Sequence, residues 1–105
     1  MLQEASDRID EIRSRVKNER ASLSNLSGKI SDQYLQQQLK TASNLLDDVE
    51  GFFLPANILE EPRTAAQWAY WLDGANLPLK HATQLREYVE EIIRKFGADA
   101  RSFPA

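Results

Sequence analysis

Apolar residues recur every three or four positions through the first thirty residues, and polar residues occupy nearly every position between them. The apolar positions are Leu2, Ala5, Ile9, Ile12, Val16, Leu23, Leu26 and Ile30. This spacing predicts a long amphipathic helix with a narrow apolar stripe. Because so narrow a stripe cannot stabilise a lone helix in water, the helix must pack against another one.

A second helical pattern follows a predicted turn. Asparagine, serine and glycine are concentrated in residues 25–31, and these residue types favour turns over helix interiors. Ser31 is the predicted N-cap of a second helix that reaches Phe53. That helix carries a core-facing stripe and a neighbouring apolar row, formed by Leu35, Leu39, Ala42, Leu46, Val49 and Phe53 and by Tyr34, Leu45 and Phe52. Basic residues beside the first stripe and acidic residues near the end of the second helix favour antiparallel pairing.

The C-terminal half contains clearer sequence signals for where helices begin and end. Residues 54–63 contain two prolines and are predicted to form a connection. Thr64 and Gln67 have the spacing of a capping box, which predicts the start of a third helix. Gly74 is predicted to end that helix, because glycine is favoured just past a helix C-terminus. A fourth helix is expected over residues 79–96.

These patterns together predict an all-α fold, an antiparallel helical bundle of about four helices, two of them long, one short and one of medium length. The length of 105 residues fits a single domain. Its expected parts are a long helical hairpin (1–53), the connection (54–63), a shorter helical hairpin (64–97) and a tail (98–105).

Composition narrows the class of protein. Hydrophobic residues make up 42% of the chain, which is too apolar for a disordered segment. No apolar run approaches the roughly 20 residues that a membrane-spanning helix needs. The sequence has no cysteine, and its first residues lack the basic and apolar stretches of a signal peptide. We therefore expect a cytoplasmic protein that is not bound to a membrane.

Charge is unevenly distributed around a net value of −3. Residues 1–30 and 62–105 each carry a net charge of +1, whereas residues 31–61 carry −5. No segment is basic enough to indicate a nucleic-acid surface by charge alone. Nucleic acid is therefore a disfavoured partner, and the alternative rests on the basic side chains of the first helix, Arg8, Arg13, Arg15, Lys17 and Arg20.

The sequence contains no recognisable catalytic, cofactor-binding or metal-binding set. His81 is the only histidine, and proton transfer would require an orienting acid and a substrate pocket beside it. Zinc would require more nitrogen or sulfur ligands than the chain has. The acidic residues of the predicted fourth helix, Glu87, Glu90 and Glu91, are typical of a solvated face and disfavour a DNA-reading helix-turn-helix. We therefore expect no enzymatic activity.

Aromatic residues give the most specific functional signal. The candidate interface residues are Phe52, Trp68, Tyr70, Trp71 and Tyr88. Tryptophan is common both in small cores and at binding hot spots, so core packing and an interface remain alternatives. A small-ligand pocket lined by Trp68, Trp71 and Tyr88 is a further alternative. The favoured function is a non-catalytic protein-interaction, assembly or regulatory module, whose partner is another protein or a second copy in a homodimer.

Overall fold

A computed structural model of the chain describes residues 2–51 and 64–97, which form three α-helices and contain no strand. The helices are α1 (Leu2–Ser27), α2 (Gln33–Gly51) and α3 (Ala65–Phe96). The all-helical class is therefore confirmed for the described residues. The predicted count of four helices is wrong, because the third and fourth predicted helices form one continuous helix.

α3 runs without interruption through Gly74 and Pro78, which were predicted to separate two helices. In a helix interior, glycine is about 1 kcal/mol and proline about 3 kcal/mol less favourable than alanine. Buried side chains nevertheless continue at the same spacing on both sides of this stretch, at Trp68, Leu72, Ala75, Leu79, Ala82, Val89 and Ile92. Burying each large apolar side chain contributes about 1.5–3 kcal/mol, so the packing of one long helix outweighs both unfavourable residues. α3 consequently contains no helix-turn-helix.

The substitution Pro78→Ala is expected to stabilise the protein. Alanine supplies the backbone N–H that proline lacks, and in an α-helix this group donates to the carbonyl of Gly74. The free energy of unfolding should rise by no more than about 3 kcal/mol. Denaturant unfolding of the variant and the wild type measures the change, and Gln84→Ala is a control at an exposed α3 position. Lower stability in the variant would mean that the packing requires the proline.

The predicted ends of α3 are both confirmed. The hydroxyl of Thr64 accepts a hydrogen bond from the backbone N–H of Gln67 at 3.1 Å, and the side-chain oxygen of Gln67 accepts one from the Thr64 N–H at 2.8 Å. At the other end, Gly97 has φ 90° and donates its N–H to the carbonyl of Ile93 at 2.8 Å. Glycine adopts this positive φ without steric cost, so Gly97 is a suitable C-terminal stop.

α1 packs antiparallel to α2 within the chain, as predicted. Arg20 of α1 forms ion pairs with Asp47 and Glu50 near the end of α2, at 2.6 Å and 3.0 Å. Ser27 at the end of α1 bonds to Gln36 near the start of α2, at 2.9 Å. Because α1 ends before the turn, a continuous helix over residues 3–53 is excluded.

Two side chains of the α2 N-terminus hold the turn between α1 and α2. The amide nitrogen of Gln36 donates to the carbonyls of Ser27 at 2.9 Å and Ile30 at 2.6 Å, and the Ser27 carbonyl is one that the end of α1 leaves without a helical partner. The carboxylate of Asp32 accepts the backbone N–H three residues later at 2.9 Å. Asp32 is therefore the N-cap of α2, one residue beyond the predicted Ser31.

α3 contacts both other helices, so the three helices enclose one core. Glu4 of α1 lies beside Ala65 at the start of α3, and Glu19 contacts Arg86 further along, so α1 and α3 run parallel. The contact between α1 and α3 was not predicted. The buried core residues are Ala5, Ile9, Ile12, Val16, Leu23, Ile30, Leu35, Leu39, Ala42, Leu46, Val49, Trp68, Leu72, Ala75, Leu79, Ala82, Val89 and Ile92.

Some sequence predictions fall outside the described residues. These are the last two residues of the predicted second helix, the connection 54–63 and the tail 98–105. Among the helices that the structure describes, none combines the length and apolar character that crossing a membrane requires.

Candidate interaction surface on α3

Two large apolar side chains are exposed on the outward side of α3. Tyr70 is 84% exposed and Leu77 is 56% exposed. They are seven residues apart, which places them on the same face about 10 Å from each other along the helix axis. Because Leu72, Ala75 and Leu79 bury the opposite face, packing fixes the direction of both exposed side chains. Tyrosine is among the residues most enriched at binding hot spots, so Tyr70 is the stronger candidate of the two.

Two charged residues alternate with these apolar side chains. Asp73 lies between Tyr70 and Leu77, and Lys80 follows one turn later, so the four residues recur every three or four positions. Within residues 2–51 and 64–97, neither Asp73 nor Lys80 takes part in an ion pair. Both charges also border a hollow of about 340 Å³ beside Arg15 of α1. We call Tyr70, Asp73, Leu77 and Lys80 the outer face of α3.

The two candidate tryptophans belong mainly to the core. Trp68 is buried, and its ring meets that of Trp71 edge-on with 5.7 Å between centroids. Trp71 is half-buried and packs against the core. The open choice between core and interface is thus decided for Trp68 in favour of the core. Phe52 lies outside the described residues.

Tyr88 is exposed but belongs to another part of the surface. Its hydroxyl lies 3.1 Å from that of Tyr34, and this hydrogen bond is the largest cause of a raised pKa of Tyr34. Tyr88 is 18 residues from Tyr70, or about 27 Å along α3. Trp68 is further still, about 30 Å away, so no single pocket includes both Trp68 and Tyr88.

The basic residues of the nucleic-acid alternative are divided between two sides of α1. The set comprises Arg8, Arg13, Arg15, Lys17 and Arg20. Arg8 and Arg15 line hollows between α1 and α3, whereas Arg20 turns toward α2. The pKa of Arg20 is raised, chiefly by its hydrogen bond to Glu50 and then by the bond to Asp47. These two carboxylates offset its charge, which weakens a continuous basic surface.

The main polar contact between α1 and α3 was not predicted from the sequence. Glu19 accepts two hydrogen bonds from the guanidinium of Arg86, at 2.6 Å and 3.0 Å. The hydroxyl of Thr83 donates to the same carboxylate at 3.1 Å. The Glu19 and Arg86 side chains are only 13% and 20% exposed. The hydrogen bond to Glu19 is the largest cause of a raised pKa of Arg86, and burial opposes it.

A signal for this ion pair was present in the spacing of apolar residues. The apolar stripe of α1 passes from Val16 to Leu23, and that of α3 passes from Ala82 to Val89. In α1 the position between these two residues holds Glu19, and in α3 Arg86 lies between them, although Leu85 beside it continues the apolar repeat. Polar residues at such positions often determine which helices pair and in which register.

His81 is exposed on α3, and the His81→Ala substitution is expected to leave stability and any activity nearly unchanged. In the part of the chain that the structure describes, no cluster of histidine, cysteine and acidic residues could hold a metal ion. Thermal unfolding and an activity screen on the purified variant test the expectation. A large loss of activity in a folded variant would instead indicate a role in proton transfer.

Comparison with known proteins returns no match among family models, curated proteins or solved structures. The function therefore has to be inferred from the geometry of the chain itself.

Proposed function

We propose that the chain is a non-catalytic helical module of the cytoplasm that binds another protein through the outer face of α3. The observation that carries this proposal is Tyr70, which is 84% exposed on a helix whose opposite face is buried. Tyrosine is enriched at binding hot spots, because it supplies a large rigid contact area and a polar hydroxyl. Such a module would serve assembly or regulation.

The positions of the charged residues support a binding role. Glu19 and Arg86 form an ion pair between α1 and α3, and Arg20 of α1 forms an ion pair with Asp47 of α2. These charges hold the helices together, whereas on the outer face of α3 Asp73 and Lys80, unpaired within the described residues, lie beside exposed apolar side chains. In protein interfaces aromatic residues are enriched at the core and polar residues form the rim, so Tyr70 fits the core of such a surface and Asp73 and Lys80 fit its rim.

Affinity capture with a tagged full-length chain tests the proposal in the native cells. We expect Tyr70→Ala combined with Leu77→Ala to lose a partner that the wild type retains, because both large side chains of the surface are removed. The matched control is Gln37→Ala combined with Asn44→Ala, which alters two exposed residues seven positions apart on α2. Circular dichroism establishes that each variant is folded.

Two outcomes would contradict the proposed function. The first is capture of the same partners by the wild type and the α3 variant. The second is retention of nucleic acid that depends on Arg8 and Arg15 and disappears at high salt, which would favour the nucleic-acid alternative.

A further inference from the structure

We propose that the partner of the outer face of α3 is a second copy of this chain, docked antiparallel about a two-fold axis at Leu77. This inference rests on the proposed function, because it assigns an occupant to the same surface. Closed two-fold dimers are the commonest oligomers of soluble proteins, and they use the same patch on both copies. The order of residues on the outer face is suited to such self-pairing.

Charge complementarity is the main reason for choosing a second copy. When two identical helices pair antiparallel about Leu77, residues at similar distances before and after it face each other. Asp73 is four residues before Leu77 and Lys80 is three residues after it, on the same side of the helix. Each Asp73 therefore meets Lys80 of the other copy, and the two-fold axis produces this ion pair twice. Both charges are unpaired within the described residues of the single chain.

The same charges disfavour the other symmetric register. If Tyr70 packed against Leu77 of the second copy, the two-fold axis would lie between Asp73 and Gly74. The two Asp73 carboxylates would then lie next to each other, and like charges in contact are unfavourable. In the register about Leu77, Tyr70 packs near Gln84 of the other copy, and Gly74 has no side chain to hinder close approach of the helices.

The expected dimer is weak. Each copy contributes two large apolar side chains, so the contact is smaller than a standard protein–protein interface. Contacts of this size give transient association, which fits a module that assembles and disassembles. Association should therefore be measured up to high protein concentration.

Engineered cysteines test the geometry directly, because the natural sequence has none. Leu77→Cys places both thiols at the two-fold axis, where the Cα atoms can approach within the roughly 7 Å that a disulfide requires. In a glutathione redox buffer, this variant should form disulfide dimers more readily than Tyr70→Cys or the α2 control Asn44→Cys. Equal dimer formation by all three variants, or more by Tyr70→Cys, would overturn the proposed register.

Charge exchange tests the ion pair without altering either apolar side chain. Asp73→Lys and Lys80→Asp should each weaken self-association at least tenfold in sedimentation equilibrium, because each places like charges opposite one another. The double variant should restore association to near the wild-type level. Unchanged association in both single variants, a double variant that stays monomeric, or a wild type that is monomeric even when concentrated would overturn the dimer.

Failure of the dimer can be told apart from failure of the proposed function. If the wild type stays monomeric but affinity capture still depends on Tyr70 and Leu77, the second copy is wrong and a different protein occupies the surface. If capture does not depend on these residues and self-association is also absent, both proposals are wrong.

Discussion

The substitution Leu46→Ala should lower the free energy of unfolding by about 2–5 kcal/mol. Leu46 lies in the middle of the core-facing stripe of α2 and is completely buried. Truncation to alanine removes apolar contacts and leaves a cavity that the surrounding helices can fill only in part. Since whole domains are stable by only about 5–15 kcal/mol, the variant should unfold at a much lower denaturant concentration.

Leu45→Ala is the matched control for this prediction. Leu45 is adjacent, has the same side chain and is only half-buried. Its truncation should therefore cost clearly less than that of Leu46 in the same urea titration. A larger loss at Leu45, or no change at Leu46, would mean that α2 presents a different face to the core.

The substitution Glu19→Ala is expected to lower the free energy of unfolding by about 2 kcal/mol. It leaves the guanidinium of Arg86, which is only 20% exposed, without its principal partner. The pair is partly buried and Arg86 keeps its ion pair with Glu90, so the cost comes from the lost hydrogen bonds and from a charge that stays partly desolvated. The hydroxyl of Thr83 also loses its acceptor.

Two further variants distinguish the cost of leaving the Arg86 charge desolvated from the loss of its attraction to Glu19. Replacing both Glu19 and Arg86 with leucine should leave stability near the wild-type value or raise it, because apolar side chains then occupy the positions of two partly buried charges. Arg20→Ala removes two more exposed ion pairs, which together should contribute no more than about 1 kcal/mol. If Glu19→Ala behaves like Arg20→Ala, the pair between α1 and α3 makes no special contribution.

The hairpin of α1 and α2 was predictable because its signals are local. Apolar spacing defined the faces of both helices, and the residues around Gly28 marked the turn. The exact N-cap at Asp32 differs by one residue, since Ser31 and Asp32 both carry side chains suited to capping. Local chemistry favoured both and did not distinguish between them.

The continuity of α3 could not be predicted in the same way. Gly74 and Pro78 are local signals for a break, whereas the burial that overrides them depends on contacts with other helices. The ion pair between Glu19 and Arg86 has the same origin. Glu19 interrupts the apolar stripe of α1 and Arg86 lies beside Leu85 in that of α3, but only the folded chain brings the two charges together across 67 positions of sequence.

Because a break was predicted within α3, most of the candidate surface could not be recognised from the sequence. Tyr70 is one of the interface candidates predicted from the sequence, and it is 84% exposed. Leu77 was placed in a turn between two helices, so it had no defined relation to Tyr70. Once α3 is continuous, Leu77 and Lys80 continue the face that begins at Tyr70, and a surface formed by four residues becomes visible.

Amide chemical shifts of the isotopically labelled full-length chain, recorded from dilute to high concentration, test the binding surface most directly. We expect the changes to cluster on the outer face of α3, around residues 70–84, because that face pairs with a second copy. Residues on the outward side of α2, such as Gln37 and Asn44, should not change. Shifts confined to the basic residues of α1 would contradict the proposed surface, and a spectrum that does not depend on concentration would contradict the dimer.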